Sequence, residues 1–203
     1  MRVVITSYNR EAMARRTAAQ FDGHDVHVYV DGWGKYQIQA TQHRMAKPPG
    51  RDRYYQVWNR ILRDAYHAEW DRILVLPDDF RLVGDLDQLE QLKGDAVALV
   101  PIVDKRGRGP CWVPRNPVDL GAVWQTHWVD CCFYAGRDMF EAIGWRIPDF
   151  APDHFETNQS SGVGKYMSLA LQDHKIYQAT ETLFVHGDHD SVMHYQHRKE
   201  TPL

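Results

Sequence analysis

Arg72-Ile73-Leu74-Val75-Leu76-Pro77-Asp78-Asp79-Phe80 is the stretch whose reading decides the fold. Branched apolar residues follow one another without a polar interruption, and a proline ends the run. Such a run reads as a strand covered on both faces, as the central strands of parallel sheets are. Asp78 and Asp79 then stand at the carboxyl end of a core strand. Ligands of open α/β sheets bind along that edge. Hard carboxylate oxygens placed there suit Mg²⁺ or Mn²⁺ carrying substrate phosphates. Pro-Asp-Asp is also ordinary turn chemistry, so this stretch alone leaves the acids open between a turn and a cation site.

Upstream, Val3-Val4-Ile5-Thr6 predicts a short strand that breaks into the polar loop Ser7-Tyr8-Asn9-Arg10, with a helix from about Glu11 to Phe21 behind it. Val26, Val28 and Val30 alternate with His27 and Tyr29, a second strand ending at Asp31-Gly32. His27 reads as an outward-facing strand residue without a role. Trp33 to Gly50 has no periodicity and reads as a long loop, and Tyr54, Trp58, Ile61, Leu62 and Ala65 fall at helical spacing.

Downstream, Leu86, Leu89 and Leu92 predict a short helix, Ala96 to Ile102 a strand, and Asp104 to Gly121 a long Gly-, Pro- and Arg-rich connection, of a length that is either a functional lid or a disordered segment. Trp128 to Ala135 predicts a strand, Arg137 to Ile143 a helix, and about Gly164 to Gln172 another. Thr182 to Val185 is the last strand, followed by a His/Asp-rich segment that starts at His186. With no repeat and no break in composition, residues 1–203 read as one α/β domain.

The bulk numbers fit that reading: 203 residues, 43% apolar and 25% charged, allow one large core. A net charge of -3 gives no global pull toward nucleic acid, although basic residues gather at Arg44 to Arg53 and at Lys105 to Arg115. Three cysteines, two of them adjacent, make no disulfide framework, so a reducing, cytoplasmic setting without membrane contact is the expectation.

The carboxylates Asp78 and Asp79 and the imidazole of His186 both follow apolar strands, so one sheet edge can collect them. Carboxylate oxygen with imidazole nitrogen suits Mn²⁺ or Mg²⁺ better than structural zinc. The chain has no Gly-x-x-x-x-Gly-Lys loop, dinucleotide fingerprint, His-Glu-x-x-His motif or nucleophile elbow.

Taken in order, these segments resemble the nucleotide-sugar glycosyltransferases of the GT-A fold. Val3 to Arg10 is similar to that family's opening strand and loop, Val28 to Gly32 to its second strand, and Leu76-Pro77-Asp78-Asp79 to its acidic metal motif. Asn59 and Ala65 match its preceding helix, and Asp130 to Gly144 its later strand and helix. The resemblance implies a single-domain GT-A (Rossmann-like) fold with a mostly parallel central sheet flanked by helices. It implies that Thr6, Ser7, Tyr8, Asn9, Arg10, Asp31 and Asp78 hold a nucleoside diphosphate sugar, a UDP-sugar in the first instance, and that Asp79 and His186 hold Mn²⁺ or Mg²⁺.

Where inverting members carry an acid before the helix near Gly164, this chain has Ser160-Ser161-Gly162. A general base must then come from Asp130, Asp153 or Glu156, with Asp130 first, or not be a side chain at this site at all. Compact cytosolic members resemble phage enzymes that glycosylate hydroxymethylated pyrimidines in DNA, acting in the host cytoplasm. Arg106, Arg108 and Arg115, with Trp112 and Trp124, are the matching candidates for a backbone-tracking, base-stacking groove. A glycan or small-molecule acceptor is the competing expectation. Two other classes compete: a metal-dependent phosphoesterase, from Gly187-Asp188-His189-Asp190, and a non-catalytic sugar-nucleotide-binding module.

Overall fold

The computed structural model describes residues 1–49, 53–90, 96–105, 118–119, 123–126, 129, 132–149 and 162–186. Its elements alternate from the start. β1 (Arg2–Ser7), α1 (Glu11–Ala19), β2 (Asp25–Val30) and β3 (Thr41–Arg44) lead into α2 (Tyr55–His67), β4 (Arg72–Pro77), β5 (Phe80–Leu82) and α3 (Asp87–Glu90). Then come β6 (Ala96–Lys105), β7 (Val118–Asp119), β8 (Val123–Thr126), β9 (Phe133–Gly136), α4 (Arg137–Ala142), α5 (Val163–Ala170) and β10 (Lys175–His186).

All the strands join one sheet in the order β3-β2-β1-β4-β9-β6-β10-β8-β7, with β5 also on β10. β3, β2, β1 and β4 are mutually parallel, β9 runs against both β4 and β6, and β6 is parallel to β10. The expected α/β fold with a mostly parallel central sheet is therefore present, with β9 reversed inside it and β5, β8 and β7 added through antiparallel pairing beyond β10.

Burial along β4 follows from its composition: Ile73, Leu74, Val75 and Leu76 have no exposed surface. Odd and even positions of a strand face opposite sides. Leu74 and Leu76 thus join Val3, Ile5, Val28 and α1, whereas Ile73 and Val75 join Val4, Phe133 and α2. Helix α2 turns Trp58, Ile61, Leu62 and Ala65 inward at three- and four-residue spacing. Burying Ile61 or Leu62 completely stabilises the fold by about 2 kcal/mol each. Helices α4 and α5 add Met139, Phe140 and Met167 to the same face.

Several expectations change. The connection expected from Asp104 to Gly121 holds the end of β6 and the short β7, and the strand expected from Trp128 begins at Phe133. The segment from Trp33 to Gly50 contains the edge strand β3, whose Thr-Gln-His-Arg sequence has no apolar alternation because it packs through polar side chains at the sheet margin. The acids are followed at once by β5, too short to show a period. The last strand begins at Lys175 rather than Thr182, and its register against β6 shifts between Gln178 and Thr182. That irregularity lets β10 change partner: Ile176 to Ala179 pair with β8, Phe184 to His186 with β5. Gly84 is needed where β5 leaves β10, because a Cβ there would lie 2.6 Å from Leu183 Cδ2 and 2.9 Å from the Thr182 carbonyl oxygen.

Candidate functional site

The carboxyl ends of β1, β2 and β4 meet at one edge. The Asp31 backbone N–H donates to the Ser7 carbonyl at 2.8 Å, and the Asp78 N–H to that of Thr6 at 3.1 Å. Three strand ends are thereby fixed to one another before any side chain acts. Asn9 takes a left-handed backbone conformation between them, and its Oδ1 accepts the Trp33 N–H at 3.0 Å. Gly32 sits so close to Asn9 that a Cβ would collide with the Asn9 side chain.

Asp78 lies at the centre with no exposed surface. Ser7 Oγ donates to its Oδ2 at 2.5 Å and Arg10 Nε to the same oxygen at 3.2 Å, while Arg10 Nη2 donates to its Oδ1. Arg10 Nη1 reaches Asp79 Oδ2 at 3.1 Å. One guanidinium therefore spans both acids, as its planar fork allows. Behind it a chain of hydroxyls runs from the Arg10 N–H to Tyr36 Oη at 2.9 Å, from Tyr36 to Ser7 at 3.1 Å, and from Ser7 to Asp78. Burial pushes the Asp78 carboxyl up to about 6; Arg10 and Ser7 pull it back down, and Asp79 adds to the rise. Burial opposes the charge on Arg10, but Asp78 and Asp79 outweigh it and hold the guanidinium above its ordinary value.

Helix α1 positions the acidic turn from below. Its small buried face, Ala14, Thr17 and Ala18, brings the helix close to the strand ends. Thr17 Oγ1 donates to the Asp78 carbonyl at 2.6 Å and lies 3.2 Å from that of Phe80. Gln20 donates to the Phe80 carbonyl at 3.0 Å and accepts the Leu82 N–H at 2.8 Å, standing in for a neighbouring strand. On its other edge β5 pairs with β10, placing the backbone of His186 opposite Phe80, next to Asp79. Thr17→Val removes the donor to a buried carbonyl and is expected to cost about 1–3 kcal/mol. Urea unfolding checks this, and an unchanged midpoint would show that the turn holds itself.

Of the residues expected at the site, Ser7, Arg10, Asp31, Asp78 and Asp79 are brought together, with Asn9 on the rim. Thr6 is in place, but its hydroxyl accepts from Tyr54 Oη at 2.9 Å on the α2 side. Tyr8 is half-buried beside it. His186 is placed by its backbone alone. Asp130, Asp153, Glu156, Arg106, Arg108 and Arg115, with Trp112, lie outside the described residues; Trp124 belongs to β8. Asn59 is a structural clamp, accepting the Ile147 N–H at 2.7 Å and donating to the Ile147 carbonyl at 2.8 Å.

Sequence reading missed Tyr36, Thr17 and Gln20. The one available signal was Thr17, a β-branched residue on the inner face of an Ala-rich helix.

Among the described residues no group of three or more His, Cys, Asp or Glu side chains is arranged to hold a metal ion. The donor set fits a hard cation nonetheless, since Mg²⁺ and Mn²⁺ are commonly held by one or two carboxylates with substrate phosphates completing the shell. Asp78 has both oxygens engaged by Ser7 and Arg10, and Asp79 has one on Arg10, so Asp79 would ligate a cation beside the guanidinium. No helix among the described residues is long and apolar enough to cross a membrane. No protein-family model matches the chain, and neither does any curated protein.

Proposed function

We propose that the chain transfers a sugar from a nucleoside diphosphate sugar to a hydroxyl acceptor, as a GT-A-type glycosyltransferase. The observation that carries this reading is the gathering of Ser7, Arg10, Asp31, Asp78 and Asp79 at the carboxyl edge of parallel strands, with the end of β10 alongside. Ligand sites of open α/β sheets form at that edge.

In this reading Asp31 and the loop from Ser7 to Arg10 hold the nucleoside. Asp79, with His186, holds the divalent ion. When bound, that ion neutralises charge on the departing diphosphate. Arg10 keeps a fixed positive charge at the same place, because a guanidinium with five N–H donors stays protonated while it donates to Asp78 and Asp79. Asp78 acts on Arg10 rather than on the donor, orienting it with the aid of Ser7 and Tyr36. The base that removes the acceptor proton comes from Asp130, Asp153 or Glu156. The acceptor to try first is a hydroxymethylated pyrimidine in DNA, with Arg106, Arg108 and Arg115 following the phosphates.

The test is turnover. With Mn²⁺ and no acceptor, UDP-, GDP- or CDP-hexose should slowly release its nucleoside diphosphate, and DNA containing hydroxymethylcytosine should speed that release and take up the sugar. Release from none of the donors, with or without acceptor, would rule out the transferase. Phosphate freed from a simple aryl ester would favour the esterase.

A further inference from the structure

On the α2 face of the sheet, away from the acids, side chains of β1, β2, β3 and α2 form a line. His27 Nδ1 is 2.9 Å from His43 Nε2. The outer nitrogens each meet a carboxylate: His27 Nε2 is 3.0 Å from Asp25 Oδ1, and His43 Nδ1 is 3.2 Å from Asp64 Oδ2. Both imidazoles are largely buried, their side chains 12% and 17% exposed. His43 lies flat on Tyr29 with ring centroids 4.3 Å apart, and His27 meets the ring of Trp70 at 4.8 Å.

The facing charges are Arg2 on Asp25 at 2.7 Å, and Arg60 and Arg63 on Asp64 at 2.8 Å and 3.9 Å. Tyr29 Oη donates to Asp64 at 3.0 Å.

Three contacts in a row need three protons. Two neutral imidazoles supply two, and whichever contact goes without sets two lone pairs against each other. The contact between His27 and Asp25 meets ion-pair distance but makes no hydrogen bond, so it attracts only if the imidazole is charged. We propose that His27 and His43 together hold one proton more than two neutral rings at neutral pH, and that this shared charge latches the edge strand β3 onto β2 and α2.

Its arrangement is a charged His27 donating Nδ1–H to a neutral His43, which donates Nδ1–H to Asp64. Burial pushes His43 below its ordinary value, Asp64 opposes this, and charge on His27 and Arg60 adds to it. That keeps the second ring neutral. Burial would raise Asp25, yet the Arg2 guanidinium and the His27 imidazole beside it hold it below its usual value.

The latch reaches the acid site through the residue beside His43. Gln42 accepts the Tyr36 N–H at 3.2 Å and donates to the Tyr36 carbonyl at 2.8 Å. Tyr36 in turn carries the hydroxyl that joins Arg10 to Ser7. Losing the third proton as pH rises frees β3 and loosens Tyr36; adding a fourth at acid pH sets two N–H groups against each other and does the same. The device is a pH-sensitive positioning element for the loop over Asp78.

The test is ¹⁵N NMR of the imidazole nitrogens in the intact chain at pH 7, with assignments from His27→Asn and His43→Asn or, if these do not fold, from contacts to the Trp70 ring. Three of the four nitrogens should be protonated, His43 Nε2 being the exception. Two protonated nitrogens would overturn the proposal. Titrating upward until the third proton leaves, the amide exchange protection of Tyr36 should fall at least about tenfold relative to Val75 in β4. Unchanged protection would overturn the link to the site.

Discussion

Arg10→Met is expected to cost the folded state about 3–5 kcal/mol at pH 7.5, because it strips a fully buried carboxylate of its counter-ion. Asp78 has no exposed surface, and of its polar side-chain partners Arg10 alone is charged. The loss should depend on pH with a definite sign. In the native chain the Asp78 carboxyl already stands at about 6, above its ordinary value. The folded state thus holds that proton more tightly than the unfolded one, and this contribution fades as pH rises through 6. Removing Arg10 pushes the carboxyl higher still. The variant should therefore recover part of its deficit when urea unfolding is repeated at pH 5, where Asp78 is protonated and needs no cation. An equal deficit at both pH values would mean that Arg10 acts through packing alone.

Trp58→Ala should be as damaging, at about 3–5 kcal/mol, for a reason confined to the core. Trp58 is 1% exposed and stacks on Phe133 with ring centroids 5.5 Å apart. It is one contact between α2 and β9, which runs against both of its sheet neighbours. Chemical unfolding measures the loss. Trp58→Phe keeps part of the volume and should recover about half, whereas a small loss for the alanine variant would show that the core closes over the gap.

The two variants also mark how far the residues alone disclosed the molecule. Trp58 was visible as a core position because helix burial repeats every three or four residues and its neighbours Ile61, Leu62 and Ala65 share the period. The same logic found β4 from its unbroken apolar run and β2 from its alternation. It could not find β3, whose Thr41-Gln42-His43-Arg44 packs by hydrogen bonds at an edge, or the reversal of β9, which no local pattern encodes.

Within the site, the acids and the loop from Ser7 to Arg10 were legible as chemistry at strand ends. Their mutual arrangement was not. Arg10 was expected at the nucleoside, and what the residues alone did not disclose is that its guanidinium also bridges acids 68 and 69 residues away. Tyr36, Thr17 and Gln20 serve the acids through single hydrogen bonds to distant partners, which leave no periodic trace. His27 was assigned no role because strand alternation pointed it outward; its side belongs to α2 and to the histidine pair.

The central claim is that the edge gathering Ser7, Arg10, Asp31, Asp78 and Asp79 binds a nucleoside diphosphate sugar through a divalent ion on Asp79. Thermal unfolding of the intact chain with UDP-, GDP- and CDP-sugars, each with and without Mn²⁺, tests it most directly. One of these donors at roughly a hundred times its Kd should raise the wild-type midpoint by about 5–10 °C with Mn²⁺ present, and Asp79→Ala should lose that rise. A wild-type midpoint that no donor moves, or a full rise in Asp79→Ala, would contradict it.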